Sequence, residues 1–272
     1  MPLWKPNDRD DLKLWLKSEN ITGGTTWKDE SGLLNHATGD NPPSKTNKGL
    51  KNTALFDGTN DTMSTEDTES GPMDFGSGNY YIGVFAKMNV AGISSGAKVL
   101  ISHDTSTSDC EIRVNHQRKL NFQTNQNTLT SDALVLDQYY LMGARKITSS
   151  NTVKLFADDV DLVTQTGDTT THTDNEVNIG SRNGGSPFWS SEIGEMIVYH
   201  SDIGATDIER VSGYVAHKFD NESNLQSGHS YKAGPPTSCH CVSEKTLSTT
   251  ALSSNPRSPV ELNQNLNIYD RR

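Results

Sequence analysis

The feature that most constrains this sequence is a series of short segments in which apolar and polar residues alternate, separated by polar turns. In DLKLWLK (11–17), leucines at every second position share one face of a strand, and Trp15 lies on the other. YYIGVFAKM (80–88) is rich in aromatic and β-branched residues, which favour strands. Similar segments are KVLISHD (98–104), EIRVNHQRKLNFQT (111–124), QYYLMGARKI (138–147), VKLFADDVDLVTQ (153–165), EVNIGSR (176–182) and EIGEMIVYH (192–200). This spacing predicts an all-β protein, an antiparallel two-sheet sandwich or jelly roll.

Turn and helix signals complete this pattern. Polar turns near His116–Arg118 and at Asp158–Asp159 predict two β-hairpins. One helix is predicted in GATDIERVSGYVAHKFD (204–220), where Thr206 and Glu209 match a capping box. Its apolar stripe consists of Ile208, Val211, Tyr214, Val215 and Phe219. We expect this short C-terminal helix to pack on the edge or the end of the sandwich.

The overall charge excludes several functions. The 272 residues include 24 basic and 34 acidic side chains, a net charge of −10, which disfavours binding to nucleic acid or anionic membranes. The sequence has no apolar run of about 18 residues, so no membrane insertion is expected. The N-terminal residues 1–17 lack the pattern of a signal peptide. Cys110, Cys239 and Cys241 do not form a disulfide framework, which fits folding in a reducing cytoplasm.

The chain divides into two parts of different composition. Residues 1–232 contain all the strand and helix signals, whereas residues 233–272 are rich in Ser, Thr, Asn and Pro with isolated hydrophobic residues. Such a segment cannot bury enough apolar surface to offset its ordering entropy by itself. We therefore predict a sandwich domain over 1–232, followed by an extended C-terminal arm that docks on neighbouring subunits of an assembly.

Several motifs together resemble the concanavalin A-like lectin/glucanase superfamily, in particular its laminin-G-like and pentraxin-like jelly rolls. These motifs are LKLWLK (12–17), TTWKDESGLLNHAT (25–38), ALFDGTNDTMST (54–65), the segment from VNIGSR to VAHKF (177–219) and GHSY (228–231). The resemblance covers roughly residues 8–232. It implies two antiparallel sheets packed face to face and often a glycan or protein ligand at a loop end or on the concave face. The fold alone does not imply catalysis.

A pair of glutamates in SEIGEMIVY (191–199) raises the question of glycosidase activity. Glucanases that this sequence resembles carry an E-x-D-x-E motif, whose acidic residues must share one face of a strand. Glu192 and Glu195 are three residues apart, so they point to opposite faces unless a bulge intervenes, and Gly194 stands where a middle Asp would be. We therefore predict no catalytic residues and no enzyme. Ile193, Ile197 and Tyr199 are expected to share a face with Glu195, and Gly194, Met196 and Val198 the other.

Candidate metal ligands have simpler interpretations. Asp57, Asn60 and Asp61 offer oxygen ligands for calcium, but they also match an Asx turn at a strand end. Asp29 in WKDESG has the same two interpretations, and a turn residue is preferred to a metal ligand. Cys239-His240-Cys241 lacks the second ligand pair of a structural zinc site. We predict no metal and no cofactor, and the calcium interpretation of 57–61 stays open.

The loop SRNGGSPFW (181–189) is the best candidate for ligand binding. Arg182 and Asn183 could hydrogen-bond sugar hydroxyls, and Trp189 could stack on a pyranose ring. The alternative, which we favour, is that Phe188 and Trp189 anchor the loop in the core, because large aromatic residues are usually buried for packing.

The missing export signal and the adhesive type of fold are reconciled by a bacteriophage virion protein, folded in the host and released by lysis. We therefore expect a non-enzymatic virion protein, either a capsid decoration protein or a head- or tail-fibre component. Its arm would bind phage capsid or tail proteins within an oligomeric assembly, and its sandwich would be available to surface glycans. A free glycan-binding lectin is the alternative, and a glycoside hydrolase is a weaker one.

Overall fold

The alternating segments form the strands of a computed structural model, which describes residues 2–22, 25–48, 51–66, 71–89, 96–103, 110–124, 126–172, 176–182 and 185–238. Within these residues the strands are β1 (Leu12–Thr22), β2 (Thr26–Asp29), β3 (Ala37–Thr38), β4 (Ser44–Lys48), β5 (Lys51–Leu55), β6 (Met63–Thr65), β7 (Tyr80–Lys87), β8 (Lys98–His103), β9 (Cys110–Val114), β10 (Lys119–Gln123), β11 (Thr128–Ala133), β12 (Tyr139–Ile147), β13 (Thr152–Ala157), β14 (Val160–Thr166), β15 (Val177–Ile179) and β16 (Glu192–Tyr199). The helix is α1 (Gly204–Lys218), and short 3₁₀ turns span Pro6–Asp8, Thr148–Ser150 and Glu222–Asn224.

These strands follow one antiparallel path that folds over into two layers. The order is β11-β10-β9-β8-β15-β6-β3-β2-β1-β16-β7-β12-β13-β14, and the β4–β5 hairpin is attached to β16. Strand β1 belongs to both layers, since its first half pairs with β16 and its end pairs with β2. At the opposite edge, β11 and β14 lie side by side. The predicted all-β antiparallel sandwich with one helix is therefore confirmed.

The layers enclose an interior core. We call the layer of β16, β7, β12, β13 and β14 the helix-side layer, and the layer of β2, β3, β6, β15 and β8–β11 the groove-side layer. Leu14, Val84 and Met142 of the former face Leu100 and Phe122 of the latter, all fully buried. The alternation along each strand therefore places the other residues on the two outer faces.

Strand β1 departs from the predicted alternation at one position. The register with β16 shifts between Leu12 and Leu14, which indicates a bulge. Leu12 consequently packs with Trp15 on the outer face of the helix-side layer, while Leu14 and Leu16 lie in the interior. The prediction that the three leucines share a face was wrong for Leu12.

Helix α1 covers the outer face of the helix-side layer. Val211, Val215 and Phe219 pack with Tyr81 and Phe85 of β7 in a second buried cluster. The stripe prediction is thus confirmed, but the packing is on a face and not at an edge or an end. The capping box prediction was wrong. The helix begins at Gly204, and its N-cap residue is Ile203, which makes no side-chain capping hydrogen bond.

Both ends of the sandwich domain meet. A backbone hydrogen bond joins Trp4 N to Pro236 O at 3.0 Å, and Ser238 N donates to Pro2 O at 2.9 Å. Of the residues assigned to the arm, Pro236, Thr237 and Ser238 pair with the N-terminal segment, and they belong to the same compact unit as the sandwich. The rest of the predicted arm, 239–272, lies outside the described residues, as do Cys239 and Cys241. Cys110 is buried.

Membrane insertion was not expected from the sequence. Among the described residues, no helix is long and apolar enough to cross a membrane.

Candidate functional site

The loop predicted to bind a ligand lies against the outer face of the groove-side layer. Its Arg182 donates two hydrogen bonds to Glu111 of β9, from Nε to Oε2 at 2.5 Å and from Nη2 to Oε1 at 2.7 Å. Glu111 is fully buried, whereas the Arg182 side chain is 38% exposed. The hydrogen bond to Glu111 raises the pKa of Arg182 above its ordinary value. Such a bidentate pair fixes the loop and leaves part of the guanidinium open to solvent.

The other two loop residues have different positions. Trp189 is 2% exposed and packs in the interior core, and its backbone N–H donates to Gly180 O at 2.6 Å. In this structure its ring anchors the loop and presents no open face for stacking. Asn183 lies outside the described residues. Of the two predicted ligand-binding residues that the structure describes, Arg182 is partly exposed to solvent and Trp189 is buried.

A row of polar side chains crosses the outer face of the groove-side layer, and sequence reasoning missed it. The register pairs join these residues strand to strand in one line. We call them the polar row: Thr26, Thr38, Ser64, Asn178, Ser102, Glu111, Gln123 and Thr128. Each is adjacent along its strand to at least one apolar residue of the interior core, and this alternation is the sequence signal for it. The row therefore presents hydroxyl, amide and carboxylate groups on rigid strands.

One end of the polar row opens into a groove of about 530 Å³, which we call the polar groove. Its floor contains Thr26, Thr38, Ser64 and Asn178. Its rim is formed by the loop residues Thr25, Gly39, Asp40, Asn41 and Thr62, together with Glu176 at the start of β15. This lining combines donors and acceptors within a single depression.

The polar groove and the predicted loop are neighbours. Thr62 on the groove rim hydrogen-bonds Ser181 through their hydroxyl groups at 2.6 Å. The Ser102 hydroxyl, further along the polar row, donates to Ser181 O at 3.0 Å. The loop therefore covers the middle of the polar row. The polar groove is the end of the row that the loop leaves open to solvent.

The glutamate pair on β16 lies on one face, contrary to the expectation of opposite faces. The register with β7 shifts between Ile193 and Glu195, so that Gly194 is the extra residue of a bulge. Ile193 packs in the interior with Met196 and Val198, while Ile197 and Tyr199 pack outside. The prediction that Ile193 shares a face with Glu195 was therefore wrong, because the bulge reverses the alternation.

Both glutamates are bonded to neighbouring side chains. Glu192 accepts from Tyr139 at 2.5 Å and from Thr53 at 2.6 Å. Glu195 is fully buried and accepts from the Trp15 indole and from the Tyr214 hydroxyl, the latter at 3.1 Å. Its Oε2 lies 2.9 Å from Lys218 Nζ. Glu195 is thus a buried carboxylate whose Oε1 accepts two hydrogen bonds, while its Oε2 is compensated by the charge of Lys218 without hydrogen-bond geometry.

The loops considered for calcium use their carboxylates internally. Asp57 Oδ1 accepts from the backbone N–H groups of Thr59 and Asn60, and Asp61 Oδ2 accepts from Asp57 N at 2.7 Å. Asp29 likewise binds the backbone and hydroxyl groups of its own loop. Within the described residues, no group of three His, Cys, Asp or Glu side chains is arranged around a common metal position. These contacts are those of Asx turns.

Comparison with known proteins gives a likeness of fold. No protein-family model matches this sequence, and no curated protein matches it. The structure is similar to a Trypanosoma rangeli sialidase in complex with sialic acid, with a TM-score of 0.60 and 12% identity over 77% of this chain and 33% of that one. It is also similar to the binding domain of Paraclostridial Mosquitocidal Protein 1, with a TM-score of 0.59 and 11% identity over 77% of this chain and 53% of that one.

A third similar structure is described as HCR/D-Sa-GBL1/C, with a TM-score of 0.60 and 13% identity over 76% of this chain and 52% of that one. This chain therefore spans about a third of the sialidase and about half of the other two proteins. At these identities the likeness concerns the fold alone. That fold is the antiparallel β-sandwich described above.

Proposed function

We propose that this protein is a non-catalytic β-sandwich that binds glycans in the polar groove. The observation that carries the proposal is the groove itself, about 530 Å³ of open space lined by hydroxyl, amide and carboxylate groups from adjacent strands. Sugar hydroxyls donate and accept hydrogen bonds, and this mixed lining complements them. The similarity of fold to a sialidase in complex with sialic acid supports a glycan as the ligand class.

The groove fits weak rather than tight binding. Among the described residues, its lining contains no aromatic side chain, and these residues offer hydrogen bonds without a stacking platform. Each hydrogen bond contributes roughly 0.5–1.5 kcal/mol net of water, and three or four give a Kd on the order of 1 mM. Weak single sites suit a protein that is displayed in many copies.

The non-catalytic part of the proposal rests on the carboxylates. A glycosidase needs one carboxyl group shielded from water to act as an acid and a second one at the substrate. Asp40 and Glu176 line the groove, but Asp40 is exposed. Glu195 is fully buried and engaged by its neighbours. This part of the proposal would be contradicted if the protein hydrolysed a member of a polysaccharide panel and either Asp40→Asn or Glu176→Gln abolished that activity.

Glycan binding is tested by titrating oligosaccharides selected on a glycan array into the labelled protein and following backbone amide shifts. Thr38→Val keeps the shape of an exposed strand residue in the groove but removes its hydroxyl, and we expect a loss of affinity of about threefold to tenfold. Thr164→Val on β14 is the matched control, also an exposed strand threonine, and should bind as the native protein does. Shifts confined to other surfaces, or equal effects of both variants, would contradict the proposal.

We further propose that the module belongs to a bacteriophage virion, where residues 239–272 bind capsid or tail proteins and join the copies into an oligomer. The support is the sequence alone: the polar arm and the acidic charge. Removal of residues 239–272 is expected to leave a folded sandwich, because the compact unit ends at residue 239. If the arm mediates assembly, light scattering should find the full chain oligomeric and the truncated chain monomeric. Equal masses would count against it.

A further inference from the structure

A second pocket lies on the opposite side of the sandwich from the polar groove, against the outer face of the helix-side layer. We call it the aromatic pocket. It has a volume of about 380 Å³ and is enclosed by the N-terminal segment, strand β1, the start of β5, helix α1 and the segment at Pro235–Pro236. All of these parts belong to the same compact unit. Its volume is within the usual range for small-molecule sites.

Three aromatic rings form the floor of this pocket. Tyr214 of α1 stands edge-on to Trp4 at a ring-centroid distance of 6.3 Å and to Trp15 of β1 at 6.1 Å. Trp4 and Trp15 are 4% and 3% exposed, and both line the pocket. The two indoles are nearly buried, so the open apolar surface of the floor comes mainly from the half-buried Tyr214 ring, against which a flat or chair-shaped ring can pack.

The floor is held from beneath by Glu195. This buried carboxylate binds the Trp15 indole, the Tyr214 hydroxyl and Lys218 Nζ, all of them on residues that line the pocket. Burial and the adjacent charge of Glu195 raise the pKa of Tyr214 above its ordinary value, so the phenol remains a donor. The site is therefore preorganised, which lowers the cost of binding.

Positive charge surrounds the entrance, although the chain as a whole has a net charge of −10. Lys5, Lys17, Lys51 and Lys218 line the pocket, against one acidic residue, Glu19. Lys218 pairs with Glu195 and Glu19, and Lys17 pairs with Glu30 outside the lining. Among the described residues, Lys5 and Lys51 have no acidic partner. These two cations are available to an anion at the entrance.

We propose that the aromatic pocket binds a small ring compound that carries a carboxylate, with its ring over the aromatic floor and its carboxylate at Lys5 and Lys51. Charge complementarity and the apolar floor together select this chemistry. An acidic sugar and an aromatic acid both have it, and glucuronate and benzoate are the probes that represent them. This site is independent of the proposed glycan binding in the polar groove.

Tryptophan fluorescence reports on this pocket directly. Of the four tryptophans, Trp4 and Trp15 line it, whereas Trp27 and Trp189 lie in the interior core. Titration with glucuronate or benzoate is expected to give a saturable change with a millimolar Kd. Glucose and benzyl alcohol, the uncharged counterparts, should bind at least about tenfold more weakly, and salt should weaken the acids. If only glucuronate saturates the signal, the ligand is an acidic sugar, and if only benzoate does, it is an aromatic acid. If neither probe gives a saturable change, the proposal is overturned.

Variants separate this site from general charge effects. Lys51→Gln is expected to weaken binding of the acid about threefold to tenfold, whereas Lys28→Gln, an exposed lysine on β2, should leave it unchanged. Thr38→Val in the polar groove should not alter the fluorescence titration, so failure of one site is distinguishable from failure of the other. Equal effects of Lys51→Gln and Lys28→Gln, or equal affinity for charged and uncharged probes, would overturn the assignment.

Discussion

At the residue scale, Glu195 organises the outer face of the helix-side layer. The carboxylate is fully buried, and its compensation comes from two hydrogen-bond donors and from Lys218 at 2.9 Å. An unpaired buried charge costs several kcal/mol, so removal of one partner of such a pair is more harmful than removal of both. The ion pair therefore couples β16 to the last turn of α1.

Glu195→Gln is expected to lower the free energy of unfolding by about 2–3 kcal/mol. This is a small effect for a broken buried ion pair, because Lys218 keeps a second partner in Glu19 at 3.1 Å. Lys218→Met should cost a similar amount by leaving Glu195 unpaired. The double variant should be more stable than the sum of the two effects by about 1 kcal/mol or more. Urea unfolding measures all three, with Asp132→Asn on exposed β11 as the control. Strict additivity would contradict the coupling.

The turn residues were the part of the site chemistry that local sequence could predict. Asp29 was interpreted as a turn residue first, and its carboxylate binds Ser31 N, Ser31 Oγ and Asn35 N of the same loop. The hairpin turn at Asp158–Asp159 is also confirmed, since β13 ends at Ala157 and β14 begins at Val160. Such contacts span only a few residues, so the residue types that make them are visible in the sequence.

At the element scale, alternation predicted the strands but not their irregularities. A pattern with a period of two assigns every residue to a face only while the register is unbroken. The bulges beside Leu12 and at Gly194 each add a residue and reverse the assignment. The helix begins at Gly204, before the N-cap that the sequence predicted at Thr206. Here too a longer-range effect, the packing of α1 on the sheet, outweighs a local signal.

The bulge in β16 requires a glycine at position 194, because two aromatic rings occupy the space of a side chain there. A Cβ at this position would lie 2.8 Å from the Phe219 ring and 2.9 Å from the Phe85 ring, both in the cluster under α1. Gly194→Ala is therefore expected to destabilise the fold by about 1–3 kcal/mol through overpacking. Gly228→Ala, where a Cβ meets nothing within 4 Å, is the matched control and should change the melting temperature little. A neutral Gly194→Ala would mean that the rings can move aside.

At the scale of the whole molecule, the polar groove could not be predicted from the sequence. Its floor combines Thr26, Thr38, Ser64 and Asn178, which become neighbours only through the strand order. Each is an ordinary outward-facing residue in its own strand, so no local motif marks it. Arg182 was found because its loop has a distinctive composition, and the open surface proved to be the groove beside that loop.

The interior also contains a buried histidine that the sequence did not single out. His172 is fully buried and packs against Phe75, Tyr80 and His103. Burial, together with the neighbouring His103 and Lys146, lowers its pKa to about 4, and Asp168 opposes this shift. Neither ring nitrogen has a hydrogen-bond partner among the described residues. Protonation would therefore place an uncompensated charge inside the sandwich.

The sign of the resulting pH dependence follows from linkage. In the unfolded chain His172 titrates near its ordinary pKa of 6.5, and in the folded protein near 4, so unfolding takes up a proton between these values. Stability should fall as the pH drops from 6.5 towards 4, by about 2 kcal/mol at pH 4.5 for this group alone. Urea unfolding at pH 7 and pH 4.5 measures the loss. His172→Phe should reduce it by about that amount, whereas His116→Phe, at an exposed turn, should leave it unchanged. If His172→Phe retains the full acid sensitivity, the responsible proton binds elsewhere.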